Sequence, residues 1–272
     1  MPTSPTLPLF QVDAFSSRVF AGNPAAICPL ERWLPEALMQ AIAAENNLSE
    51  TAFLVPRGED FEIRWFTPKA EVKLCGHATL AAAYVLFERL KPDLRRVVFH
   101  SLSGPLTVVQ TGAGLQLDFP AQPAEEIPCP DEVSRAFKVE PVFCGCTERD
   151  LMVVIESEEQ IRDLQPDMYL LENLPQKGFI LTAKGDQADF VSRFFAPALG
   201  VPEDPVTGSA HCTLAPYWSM KLNQDRLMAR QLSPRGGEIE CRLKGNRVLL
   251  SGKAILYLEG KIHLPPGFES GF

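Results

Sequence analysis

The chain has 272 residues, 46% of them apolar and 22% charged, with a formal net charge of −8. That length suits one large domain or two medium ones, and the acidic balance excludes the basic footprint of a nucleic-acid binder. No run approaches the ~18 apolar residues of a membrane span, and residues 1–10 lack the basic and apolar regions of a signal peptide. A cytoplasmic protein with no nucleic-acid or membrane partner is therefore expected.

Along the chain, residues 7–14 alternate as a strand, Gly22-Asn23-Pro24 marks a turn, and residues 25–28 form a second short strand. Leu34-Pro35 opens a helix with proline in its first turn, running to about Asn46-Asn47. Strands follow at 51–56 and 62–66, then a helix over 76–90 that Lys91-Pro92 stops. Strands at 96–100, 106–110 and 115–119 close the first half. Residues 120–130, with four prolines and two adjacent glutamates, read as the connection between halves. Beyond it come a helix near 131–138, strands near 142–145 and 151–155, a helix near 158–163, strands at 178–183 and 189–195, a helix from Gly208, and hairpin strands over 230–258. Strands outnumber helices without regular alternation, and no G-x-G-x-x-G or P-loop is present, so the fold class is α+β with mostly antiparallel sheets. The half-domains are placed at 1–120, completed by 259–272, and at 121–258.

Seven cysteines are scattered at 28, 75, 129, 144, 146, 212 and 241. An odd count in a chain of this size does not suit a disulfide framework, and free thiols are expected. Cys144-Gly145-Cys146 is a C-x-C, read as small buried residues and not as a metal knuckle, so no metal site is expected.

Two segments resemble each other. Phe66-Thr67-Pro68 precedes Gly76-His77-Ala78, and Phe195-Ala196-Pro197 precedes Gly208-Ser209-Ala210. Each is a strand ending in F-x-P, a loop, and a helix opening on glycine, which points to a duplicated fold. A helix start carries unpaired N–H groups and partial positive charge, and glycine admits a ligand close to the backbone. Two such starts suit a carboxylate and a developing enolate-like charge.

On the helix from Leu34, Leu38 and Ile42 define an apolar arc into which Glu45 falls at 100° per residue. A poorly hydrated carboxylate near a helix C-terminus favours its protonated form, which suits general acid–base work. The alternative is that the helix frays before residue 45 and leaves Glu45 solvated. Asp204 and His77 flank the two glycine turns, where an Asx turn and a helix-start histidine are the plainer readings.

The segments 44–53, 64–78 and 203–210, with Val12-Asp13-Ala14-Phe15 and Gly22-Asn23-Pro24, resemble the PhzF-like family of phenazine biosynthesis over nearly the whole chain. The resemblance implies a diaminopimelate epimerase-like fold, with two pseudo-symmetric half-domains each wrapping a mostly antiparallel sheet around a central helix and the active site between them. It implies a homodimer, no cofactor and no metal, and an isomerase that moves a proton on a small carboxylate substrate. It implies Glu45, His77 and Asp204 as the catalytic set, and Gly76, Gly208 and Ser209 as substrate-binding positions. Two further readings stay open: a metabolite-binding protein without chemistry, and an amino-acid racemase or epimerase using Cys75, which stands beside the first glycine turn without a cysteine counterpart at the second.

Overall fold

The computed structural model describes residues 5–264. The chain divides into two compact units, one running to Leu117 and resuming at Gly252, the other spanning Asp118–Ser251. In the first unit, β1 (Thr6–Ala14), β2 (Asn23–Pro29), α1 (Glu36–Asn46), β3 (Glu50–Arg57), β4 (Asp60–Phe66), β5 (Glu71–Val72) and α2 (Gly76–Val85) follow one another. A π turn at Leu86–Leu90 extends α2, and β6 (Arg96–Ser101), β7 (Gly104–Thr111) and β8 (Gly114–Pro120) follow. The second unit holds β9 (Glu125–Glu126), α3 (Asp131–Phe137), β10 (Phe143–Cys146), β11 (Asp150–Val154), α4 (Glu158–Asp163), α5 (Met168–Glu172), β12 (Gly178–Lys184) and β13 (Phe190–Ala196). It continues with β14 (Val201–Asp204), α6 (Gly208–Leu222), β15 (Arg226–Gln231), β16 (Gly237–Lys244) and β17 (Arg247–Gly252), and β18 (Ala254–His263) ends the described chain.

Strand pairing repeats between the units. In the first, β1 and β2 are antiparallel, β2 and β3 parallel, β3 and β4 antiparallel, β4 and β6 parallel, and β6, β7 and β8 antiparallel. In the second, β10 through β13 and then β15 through β17 show the same sequence of directions. The duplication inferred from two short motifs thus extends through whole units. β18 lies antiparallel along β1, so the returning segment includes residues 254–258, which the hairpin expectation had assigned to the second half. Residues 265–272 of the expected 259–272 completion lie outside the described residues.

Each unit is organised by one enclosed helix. Eight of the ten residues of α2 are buried, including Ala78, Ala81, Ala82 and Ala83, whose small side chains let strands approach on every side. α6 buries Ala210, Leu214, Ala215 and Trp218, with Trp218 stacked on Phe190 and donating its indole N–H to Thr182. No helix among the described residues is long and apolar enough to cross a membrane.

Two expectations are corrected. Helix α1 begins at Glu36, with Pro35 capping it in extended conformation instead of occupying its first turn. The cysteines are not all free: Cys129 and Cys144 form a disulfide across 15 residues, leaving Cys28, Cys75, Cys146, Cys212 and Cys241 as thiols. Pairing of β9 with β10 brings the two chains together, with Cα atoms 5.2 Å apart, and neither spacing nor count reveals this. Thiol titration in denaturant is expected to find five thiols before reduction and seven after it. Cys129→Ser should lower unfolding stability by about 3 kcal/mol relative to the oxidised protein.

Candidate functional site

In the first unit the polar groups gather at the start of α2. Cys75 is the residue before the helix and His77 its second member. Asn23 opens β2 and Glu50 opens the parallel neighbour β3, so three element starts meet. The Nε2 of His77 lies 3.1 Å from an Oε2 of Glu50, with both side chains largely buried. Its Nδ1 lies 3.2 Å from the Asn23 amide and 3.5 Å from the Cys75 Sγ. Both ring nitrogens therefore face protein groups. Burial pushes the Cys75 thiol up to about 11, and Glu50 adds to this while His77 opposes it. Burial also works against charge on His77, but Cys75 and Glu50 outweigh it and hold the ring well above the usual histidine range.

Donor atoms of Glu50, Cys75 and His77 lie within 4.8 Å of one another, a set that could grip a metal ion. Yet the sulfur stands nearer Nδ1, at 3.5 Å, than Nε2, at 4.0 Å, while the carboxylate stands at Nε2. Thiol and carboxylate flank opposite nitrogens, which is the order of a hydrogen-bonded chain and not of a chelate sharing one ring nitrogen.

Glu45 departs from the apolar-face expectation. It lies in the last turn of α1 and is exposed. The buried arc is Met39, Ile42 and Ala43, and Glu45 sits ~110° from its centre at 100° per residue. The expected arc rests on Leu34, which precedes the helix, and on Leu38, which is only half-buried. The helix does not fray early: Asn47 closes it in left-handed conformation, its N–H reaching the Ala43 carbonyl. Asn46 donates to the Thr51 hydroxyl at 3.0 Å, tying this turn to the strand that carries Glu50.

In the second unit the helix start is braced differently. Asp204 ends β14, and one of its carboxylate oxygens accepts from the Thr207 hydroxyl. Buried Gln231, which sequence reasoning missed, accepts from the Thr207 N–H and donates to the Asp204 carbonyl. Arg149 was missed too. Its guanidinium forks the buried Asp150 at 2.9 and 2.8 Å and reaches the Ser209 hydroxyl at 3.2 Å. The fork leaves N–H donors over, half-exposed beside a helix start, the combination that suits a carboxylate. Room for Asp150 depends on Gly178, where a Cβ would stand 2.2 Å from the Asp150 Oδ1. The structure thus groups His77 with Gly76 in one unit, and Asp204, Gly208 and Ser209 in the other.

His211, four residues into α6, donates from Nδ1 to the Thr207 carbonyl at 2.8 Å. Burial pushes it down to about 4, so it is neutral near pH 7.

A family model described as phenazine biosynthesis-like protein matches residues 12–260. The chain is 55% identical over 259 residues to an uncharacterized isomerase of Pseudomonas aeruginosa, covering 95% of this chain and 99% of that one. It is 41% identical to a phenazine biosynthesis-like domain-containing protein of Homo sapiens, covering 94% and 99%. A crystal structure of a PhzF family protein from Enterococcus faecalis matches with a TM-score of 0.93 at 48% identity, covering 96% and 100%. A hydroxyproline epimerase from Agrobacterium vitis shares the fold at a TM-score of 0.65 and 9% identity. The architecture is therefore the epimerase-like α+β fold.

Two outcomes follow from this geometry. Gly178→Ala should displace Asp150 and cost about 1–3 kcal/mol in urea unfolding, as overpacking typically does. Between pH 6.5 and about 4 the unfolded chain binds a proton at His211 that the folded chain refuses, so stability falls as pH drops through that window. The loss should reach at most about 3 kcal/mol, and in His211→Gln the pH slope of unfolding free energy over that window should flatten.

Proposed function

The chain belongs to the phenazine biosynthesis-like PhzC-PhzF family, and on that premise we propose that it is a cofactor-independent isomerase moving a proton on a small carboxylic acid. The observation carrying this is the largely buried Glu50–His77–Cys75 cluster at the start of α2. Enclosing ionisable groups costs several kcal/mol unless they are paired, and such clusters mark functional sites more than scaffolds. A protein that only binds a metabolite needs no such arrangement, which weighs against the binding-only reading.

Glu45 is assigned the hydrogen-carrying role. Its segment matches the family, and its carboxylate is exposed with no hydrogen bond or ion pair among the described residues. It would take a proton from one carbon and return it to another of the same molecule, alternating between carboxylate and carboxylic acid. His77, with both nitrogens facing protein groups, contributes positive charge rather than a free ligand atom. Asp204 is assigned a polar group of the substrate. The backbone at Gly76 and Gly208, with Ser209 and Arg149, is assigned the anion.

One observation favours a second reading. The 3.5 Å contact between the Cys75 Sγ and His77 Nδ1 would suit a thiol acting as base. Deuterium incorporation separates the two. Small carboxylic acids, including dihydroaromatic and amino acids, are incubated with protein in D₂O and followed by mass spectrometry. Glu45→Gln should lose about 10²-fold or more of the incorporation rate while Cys75→Ser stays within about tenfold. Survival of Glu45→Gln within about tenfold of wild type would overturn the assignment, and loss confined to Cys75→Ser would establish the thiol.

A further inference from the structure

The duplicated strand registers allow position-by-position comparison of the helix starts. Aligning Phe66-Thr67-Pro68 with Phe195-Ala196-Pro197 sets Thr51, the partner of Phe66, against Phe179, the partner of Phe195. Glu50 then corresponds to Gly178, and Ala25, the partner of Glu50, corresponds to Asp150, the partner of Gly178. The carboxylate has changed strands. In one unit it stands on the second strand of the parallel pair, opposite alanine; in the other it stands on the first strand, opposite glycine. In both it is shielded and locks a cation: Glu50 on His77 and Asp150 on Arg149. The two units thus bring a shielded carboxylate to the corresponding helix start from different strands of the parallel pair.

We propose that Glu50 is a positioning residue of this site, its carboxylate fixing the Nε2 of His77 so that Nδ1 is turned to Cys75 and Asn23 at the start of α2. The groups acting on the ring are Glu50 from β3, Cys75 before its own helix, and the uncharged Asn23 amide from β2. The positive end of α2 would by itself discourage a cation there, and burial works in the same direction. Cys75 and Glu50 oppose both. The assignment rests on the isomerase reading only for its consequence, a standing positive charge for an anionic substrate or enolate.

The test uses the full chain labelled with ¹⁵N-histidine, whose four imidazoles are resolved and assigned by loss of one signal set in His77→Gln. In wild type, His77 should titrate above the ordinary 6.5, with its Nε2 facing the Glu50 carboxylate. In Glu50→Gln the midpoint should fall by at least about one pH unit, the effect of removing an opposite charge at this range. Glu50→Asp, which keeps the charge but shortens its reach, should lie between, and gives the reading if the amide variant does not fold. A purely structural role would lower the melting temperature and leave the midpoint in place. A wild-type midpoint at or below 6.5, or one unmoved by either substitution, overturns the proposal. Where deuterium incorporation is measurable, its pH profile should shift with the NMR midpoint. A shift in the midpoint with no incorporation for any acid tried would sink the isomerase reading and leave the role of Glu50 standing.

Discussion

The governing constraint is that each unit buries one helix along most of its length. A helix buried along its length has satisfied its interior backbone through its own hydrogen bonds, but its first turn still carries N–H groups without helical partners. α2 and α6 both solve this by opening on glycine, Gly76 and Gly208, at the edge of the enclosure. Neither helix uses a side-chain cap at that end. The first turn therefore keeps donors available, and the polar residues that gather there are constrained by them.

What gathers differs in chemistry and agrees in charge pattern. His77 and Arg149 are each held by a shielded carboxylate, and the carboxylate comes from whichever strand of the parallel pair leaves space for it. At Gly178 that space is literal, since a Cβ would meet the Asp150 carboxylate at 2.2 Å. The cations are not equivalent. Arginine stays charged whatever its surroundings and can still donate after forking a carboxylate. Histidine in the other unit has spent both nitrogens on protein groups, so it offers field and not a ligand atom. One start is suited to gripping, the other to stabilising charge.

Much of this was legible in the sequence because it depends on local backbone rules. F-x-P followed by a glycine-opened helix appears twice, and both helices begin at the glycines the motif names. Strands built on alternation or short apolar runs were readable for the same reason. The misses share another cause. Glu45 lies off the buried face because the arc expected from Leu34, Leu38 and Ile42 leaves out Met39 and Ala43 and includes Leu34, which precedes α1. Glu50, Arg149 and Gln231 carry no local signature, since each acts on a partner 24 to 60 residues away. The Cys129–Cys144 bond depends on a two-residue strand, β9, that no periodicity could reveal.

The charge pattern also resolves an apparent conflict between an acidic chain and an anionic ligand. Over the whole molecule the formal charge is −8, yet at this scale distant charges are screened beyond about 8–10 Å. Close to the start of α2 the sum is a cation, one shielded carboxylate and roughly half a positive charge from the helix, while at the start of α6 Asp204 adds a second carboxylate. At α2 the carboxylate cancels the cation, and the helix end remains. What a carboxylate meets there is a small positive excess made of fixed N–H donors, and such donors need no reorganisation when charge arrives. An unpaired cation would give a larger field, but its burial would be costly and its side chain free to move. Pairing each cation with its own carboxylate trades field strength for fixed geometry, a trade that favours a reaction whose charge develops at one place over simple capture of anions.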